Sequence, residues 1–107
     1  MNVIKLNNIE ENRCVLVENE RFKTIYFKFE EGKGLPNHVH NGSATIQVID
    51  GNVTMEFKDG NKFELAKGDF LPFDARVEHN VIANEESKVL VTIIKTPLIN
   101  NIKSWRK

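Results

Sequence analysis

Val77-Glu78-His79-Asn80-Val81-Ile82-Ala83 sets Val77, His79, Val81 and Ala83 against Glu78, Asn80 and Ile82 at a period of two residues. That period puts alternate side chains on opposite faces of a pleated strand. It also brings a histidine into phase with three aliphatic residues. The same alternation runs through Ile25, Phe27 and Phe29 against Thr24, Tyr26 and Lys28, and through Val53, Met55 and Phe57 against Thr54, Glu56 and Lys58. Almost no segment repeats apolar residues at helical spacing, so the chain is expected to be all-β. Turn signals at Glu31-Gly32, Asp50-Gly51-Asn52, Asp59-Gly60-Asn61, Gly68-Asp69 and Asn84 to Ser87 recur at the spacing of a sandwich or barrel. Asp59-Gly60 predicts a type I′ hairpin, which needs positive φ at both central residues. Val89 to Ile94 is apolar on both faces and predicts a strand covered on both sides. Residues 98–107 carry Ile99, Ile102 and Trp105 at a spacing of three, expected to pack on a sheet or a second subunit.

At 107 residues, 40% hydrophobic and 28% charged, the chain is expected to form one domain over 1–107. Fifteen Lys plus Arg balance fifteen Asp plus Glu, and the formal charge is 0. Without a net field, neither nucleic acid nor an anionic membrane is expected as a partner. No apolar stretch approaches the roughly 20 residues of a membrane span. The first residues, Met1 to Asn7, lack the basic, apolar and small-residue segments of a secretion signal, and the lone Cys14 has no partner for an internal disulfide. A reducing cytoplasm is the expected setting, with Cys14 a small buried apolar residue. A domain of this size buries only about 60 to 65% of the surface its unfolded chain exposes, so a metal or a second subunit would add useful stability.

The chain has three histidines, two of them in His38-Val39-His40. In an extended segment, residues two apart share a face about 6.5 to 7 Å apart, which lets two imidazoles converge on one ion. His79 is in phase with inward-facing residues of a later strand, so all three imidazoles can face one interior. Buried imidazoles each need a polar partner, and one shared ion satisfies them together. The competing view is a metal-free barrel whose histidines are satisfied singly.

Gly32-x5-His38-x-His40-x3-Ala44-x6-Gly51 and Gly68-x10-His79 resemble the two sequence motifs of the cupins, small barrels of the jelly-roll type, over a motif region of about 32–84. The resemblance implies a single jelly-roll β-barrel in which His38, His40 and His79 hold one divalent metal ion. The chain departs from the family at Ala44, where a glutamate ligand is usual, and at Asp74 and Arg76, where a proline and a glycine are usual. The family's asparagine falls at Ala83, one residue before Asn84. Three neutral imidazoles leave the charge of the ion uncompensated and positions open, which favours a small oxygen-bearing ligand. Such a nitrogen set suits Zn, Ni, Fe, Co or Cu better than Mg or Ca. The implied function is a metal-dependent dioxygenase or isomerase acting on an enediol, a β-diketone or a catechol-like compound. The alternative is a non-catalytic small-molecule binding or sensor module. No side chain is assignable as a catalytic acid or base. Phe27, Phe29, Ala44, Ile46, Met55 and Phe57 are in phase to line the barrel, as core or as pocket wall. Gln47 falls on the outer face of its strand. Arg76 either pairs with Asp74 in a solvated loop or meets an anionic substrate. A homodimer is expected from the family and from the doubly apolar strand.

Overall fold

In a computed structural model, which describes residues 1–96, a 3-10 turn at Leu6–Asn8 precedes nine strands. They are β1 (Arg13–Glu18), β2 (Phe22–Phe29), β3 (Gly34–His38), β4 (Ser43–Asp50), β5 (Asn52–Phe57), β6 (Lys62–Ala66), β7 (Phe70–Asp74), β8 (His79–Ala83) and β9 (Ser87–Ile94). A five-stranded sheet runs in the order β1-β2-β9-β4-β7, and a four-stranded sheet in the order β3-β8-β5-β6. Every recorded pairing is antiparallel. This is the all-β fold expected from the alternating runs, in the jelly-roll arrangement that the motif resemblance implies. No helix of the described residues is long and apolar enough to cross a membrane.

The period-two residues meet between the sheets. Ile25, Phe27, Phe29, Ile46, Val48, Val53, Met55, Val81, Ala83, Val89 and Val91 are all buried in one cluster. Burying a side chain of this kind contributes about 1.5 to 3 kcal/mol, so this inner face dominates the stability of the barrel. Proline marks the sheet edges: Pro36 lies in β3 and Pro72 in β7, each an outer strand where the missing N–H breaks no ladder on its free side.

One turn expectation is corrected. Asp59-Gly60 does join β5 to β6, but of the two only Gly60 has positive φ, +98°, and no non-glycine among the described residues does. The Gly60 N–H donates to the Phe57 carbonyl, and Phe57 and Asn61 pair across a three-residue loop, Lys58 to Gly60. Spreading the reversal over three residues, with Gly60 taking the left-handed position, lets Asp59 stay at negative φ, so this is not a type I′ hairpin. The turn signal at Asp50-Gly51-Asn52 falls between β4 and β5, where the chain passes from one sheet to the other.

β9 lies at the centre of the larger sheet between β2 and β4, with Val89 and Val91 buried inward and Leu90, Thr92 and Ile94 half-buried on the outer side. Its two apolar faces are thus covered unequally. Cys14 is half-buried opposite Tyr26. The expectation for residues 98–107 lies outside the described residues.

Tyr26 points away from Ile25 and Phe27, yet it is fully buried, and its hydroxyl has no hydrogen-bond partner among the described residues. Burial pushes its pKa up from the ordinary tyrosine value. A buried hydroxyl without a partner costs free energy. Tyr26→Phe is therefore expected to leave stability unchanged or raise it by up to about 1 kcal/mol in a urea unfolding curve; a loss of the same size would mean that the hydroxyl has a partner.

Candidate metal centre

β3 and β8 bring two of the three histidines together. His38, the last residue of β3, is directly opposite His79, the first of β8, across a register shift that follows Leu35. Their ring centroids are 4.3 Å apart at 61°. His38 is exposed, whereas His79 is 3% exposed. Phe57, opposite His79 on β5, and Phe73 on β7 pack against the His79 ring at 5.5 and 5.0 Å. A polar ring is thus held at the boundary between the aromatic core and solvent.

Both rings are oriented by the backbone two residues earlier. Nδ1 of His38 is 2.7 Å from the Pro36 carbonyl, and Nδ1 of His79 is 2.7 Å from the Val77 carbonyl. A carbonyl only accepts, so each Nδ1 carries the proton, and in the neutral ring Nε2 keeps its lone pair. Metal-binding histidines are oriented in this way, with one nitrogen donating to a carbonyl and the other left for the ion.

His40 is set the opposite way. Its Nε2 donates to the Ile94 carbonyl at 2.7 Å, tying the β3–β4 loop to the end of β9. Its backbone N–H donates to Ala75, and Ala75 in turn donates to the Gly42 carbonyl. Among the described residues no three His, Cys, Asp or Glu side chains are grouped to hold an ion. The structure therefore presents a histidine pair, with the third histidine engaged elsewhere. The donor chemistry of His38 and His79 fits a transition metal, and His40 can join them only by releasing Ile94. Ala44, at the position of the missing glutamate, is a buried core residue on β4.

Burial holds the His79 pKa below the ordinary imidazole value of 6.5; charge on His38 and His40 acts in the same direction, and the Val77 carbonyl opposes it. A depressed pKa means that the unfolded chain binds the proton more tightly than the fold does. The associated stability is present above pH 6.5 and is lost as pH falls below it, through the folded value. The metal-free protein is expected to lose stability on acidification from pH 7 in denaturant titrations, with a shallower loss in His79→Gln. Identical pH profiles would remove His79 as the cause.

Of the six residues expected to line the barrel, Phe57 walls a cavity and also packs on His79. Phe27, Phe29, Ala44, Ile46 and Met55 are buried in the core cluster. Gln47 is exposed on β4. Arg76 closes on Asp74 through Nε and a terminal nitrogen, at 2.7 Å for the shortest contact, so its fork is engaged within the protein. The Arg76 guanidinium holds the Asp74 carboxyl below its usual range. Phe63 and Phe73, which wall the same cavity, were not singled out from sequence, although Phe73 alternates with Leu71 at the strand period. The Ile94 carbonyl that captures His40 carries no side-chain signal at all.

Two antiparallel sheets rolled around one core, with paired histidines at the edge of that core, define a jelly-roll barrel. The chain belongs to the cupins: the model of the cupin domain family matches residues 25–95. An RmlC-like cupin protein from Desulfovibrio desulfuricans is similar at 28% identity and a TM-score of 0.79, over 89% of this chain and 97% of that one. A cupin superfamily protein from Desulfitobacterium hafniense is similar at 21% identity and a TM-score of 0.73, over 77% and 74%. A conserved protein of unknown function from Streptococcus pyogenes is similar at 20% identity and a TM-score of 0.77, over 91% and 90%. No protein of curated function matches the sequence at a significant level.

Proposed function

We propose that the chain is a metal-binding cupin in which His38, His40 and His79 hold one divalent transition ion and a small oxygen-bearing ligand completes the coordination shell. The observation that carries this is the matched orientation of His38 and His79, each with Nδ1 on a carbonyl and Nε2 left over. His40 supplies the third nitrogen once it leaves the Ile94 carbonyl. A bound ion supplies Lewis-acid polarisation of a ligand oxygen. This chain's own part is to orient the imidazoles and to keep His79 neutral and water-poor between Phe57 and Phe73. Chelating anions such as an enediolate, a β-diketonate or a catecholate fit a site whose ligands carry no charge.

A second function, binding or sensing without turnover, is favoured by the placement of two candidate proton carriers among the described residues. The single tyrosine, Tyr26, is on the outer side of the larger sheet, and Asp74 is occupied by Arg76. The protein is proposed to act in the cytoplasm as a homodimer. The dimer would pair the outer faces of the larger sheets, where Phe22, Leu90 and Ile94 are half-buried and Phe70 is exposed.

Metal analysis by plasma mass spectrometry after reconstitution with Zn, Ni and Fe(II) tests the proposal, with acetylacetone and catechol then added under oxygen. One ion per chain is expected. Oxygen uptake with either compound selects the dioxygenase, binding without uptake selects the sensor, and no retained metal overturns both.

A further inference from the structure

Where the free edge of β7 faces the β5–β6 hairpin, the two sheets leave a cavity of about 180 Å³. No histidine lines it. Its walls are Phe57, Phe63, Phe73 and Leu71, and the rings already stand edge to face: Phe57 and Phe63 are 5.9 Å apart at 85°, and Phe57 and Phe73 are 5.6 Å apart at 69°. A void of this size suits a single six-membered ring, since an apolar cavity of about 150 Å³ takes up benzene. Edge-to-face arrays favour an aromatic ring over a saturated one of similar volume, because another quadrupole extends the pattern.

The rim is polar, with Asp59, Asn61 and Asp74, and its two carboxylates are its charged groups. Asp74 is saturated by Arg76, whose backbone N–H, Nε and terminal nitrogen all donate to its two oxygens. Asp59 is different. Its Oδ1 accepts the Asn61 backbone N–H and its Oδ2 accepts from Asn61 Nδ2, one bond to each oxygen, and among the described residues it has no ion pair. A carboxylate offers about four acceptor positions, so Asp59 can take further donors.

We infer that this cavity is a binding site for a single-ring aromatic compound bearing a hydroxyl or amino group, with the ring among Phe57, Phe63 and Phe73 and the donor on Asp59. An aromatic carboxylate is rejected, because it brings an anion to an uncompensated aspartate. The site goes beyond the proposed metal centre and stands without it. The two nevertheless share a wall, since Phe57 and Phe73 also pack on His79.

The test is a titration of metal-free protein with benzylamine, benzyl alcohol, benzoate and cyclohexylmethylamine, followed by carbon-detected NMR of the Phe57, Phe63 and Leu71 side chains. Benzylamine and benzyl alcohol are expected to give saturable shifts at these residues, with benzoate and cyclohexylmethylamine weaker. Asp59→Asn is expected to weaken benzylamine about tenfold, the worth of a hydrogen bond to a charged group. Phe63→Trp, which fills the void at a partly exposed edge position, is expected to abolish the shifts. If that variant does not fold, the Asp59→Asn result decides. Absence of saturable shifts, or benzylamine binding unchanged in Asp59→Asn, overturns the inference. Because metal is absent throughout, either result leaves the histidine site to be judged on its own experiment.

Discussion

His79→Ala is expected to lower affinity for a divalent transition ion by at least about a hundredfold, more than the loss of an orienting partner alone, which is about 10- to 100-fold. His79 is the one buried imidazole of the three, already oriented by Val77 and already biased toward the neutral form that binds metal. His38→Ala is expected to follow closely, because the two rings are adjacent and similarly oriented. His40→Ala is expected to cost less. Its nitrogen must first leave the Ile94 carbonyl, and that lost bond, about 0.5 to 1.5 kcal/mol, offsets part of the gain from coordination. Competition against a chromophoric chelator measures all three affinities, after circular dichroism has shown that each variant is folded. Wild-type affinity in His79→Ala would exclude the site.

Gly51→Ala is expected to destabilise the barrel by about 3 kcal/mol or more, a large part of the roughly 5 to 15 kcal/mol that holds a domain together. Gly51 carries the chain from β4 in one sheet to β5 in the other at φ +93°. A side chain in that region costs about 1 to 2 kcal/mol. A Cβ there would also run into Ser87 Oγ and come within 2.6 Å of the Glu86 carbonyl. Ser87 has no room to yield. It is 1% exposed, accepts the Asn52 N–H and shares its own proton between the Asn52 and Glu85 carbonyls. Overpacking of this kind adds about 1 to 3 kcal/mol. Gly60→Ala is the control, because Gly60 has φ +98° and nothing within 4 Å of an added Cβ. Equal losses for the two in urea denaturation would show that Gly51 pays only for its backbone angle.

The strand faces were legible because burial on one side imposes period two: Ile25, Phe27, Phe29, Val53, Met55, Val81 and Ala83 all point where the alternation put them. Tyr26 was not legible, since its position in the period says outward and its burial depends on what covers that face. The turn at Asp59-Gly60 was placed but mistyped, because loop length, set by where Phe57 and Asn61 pair, decides which residues need positive φ. At the site, the two-residue spacing put His38 beside His40, whereas strand pairing puts His38 beside His79. Spacing and phase could not foresee that His40 turns away, since its partner is a main-chain oxygen 54 residues away. The aromatic cavity was hidden for a related reason. Phe63 and Phe73 show the right period, but they converge only because two sheet edges meet, and pairing order is not written in local alternation.

The most direct test of the histidine centre is a long-range proton–nitrogen correlation spectrum of the imidazoles, recorded while zinc is added to metal-free protein. Expected at one equivalent are large shifts of Nε2 in His38 and His79, retention of both Nδ1–H groups on Pro36 and Val77, and loss of the His40 bond to Ile94. Imidazole nitrogens that stay unmoved as zinc is added would contradict metal binding by these histidines.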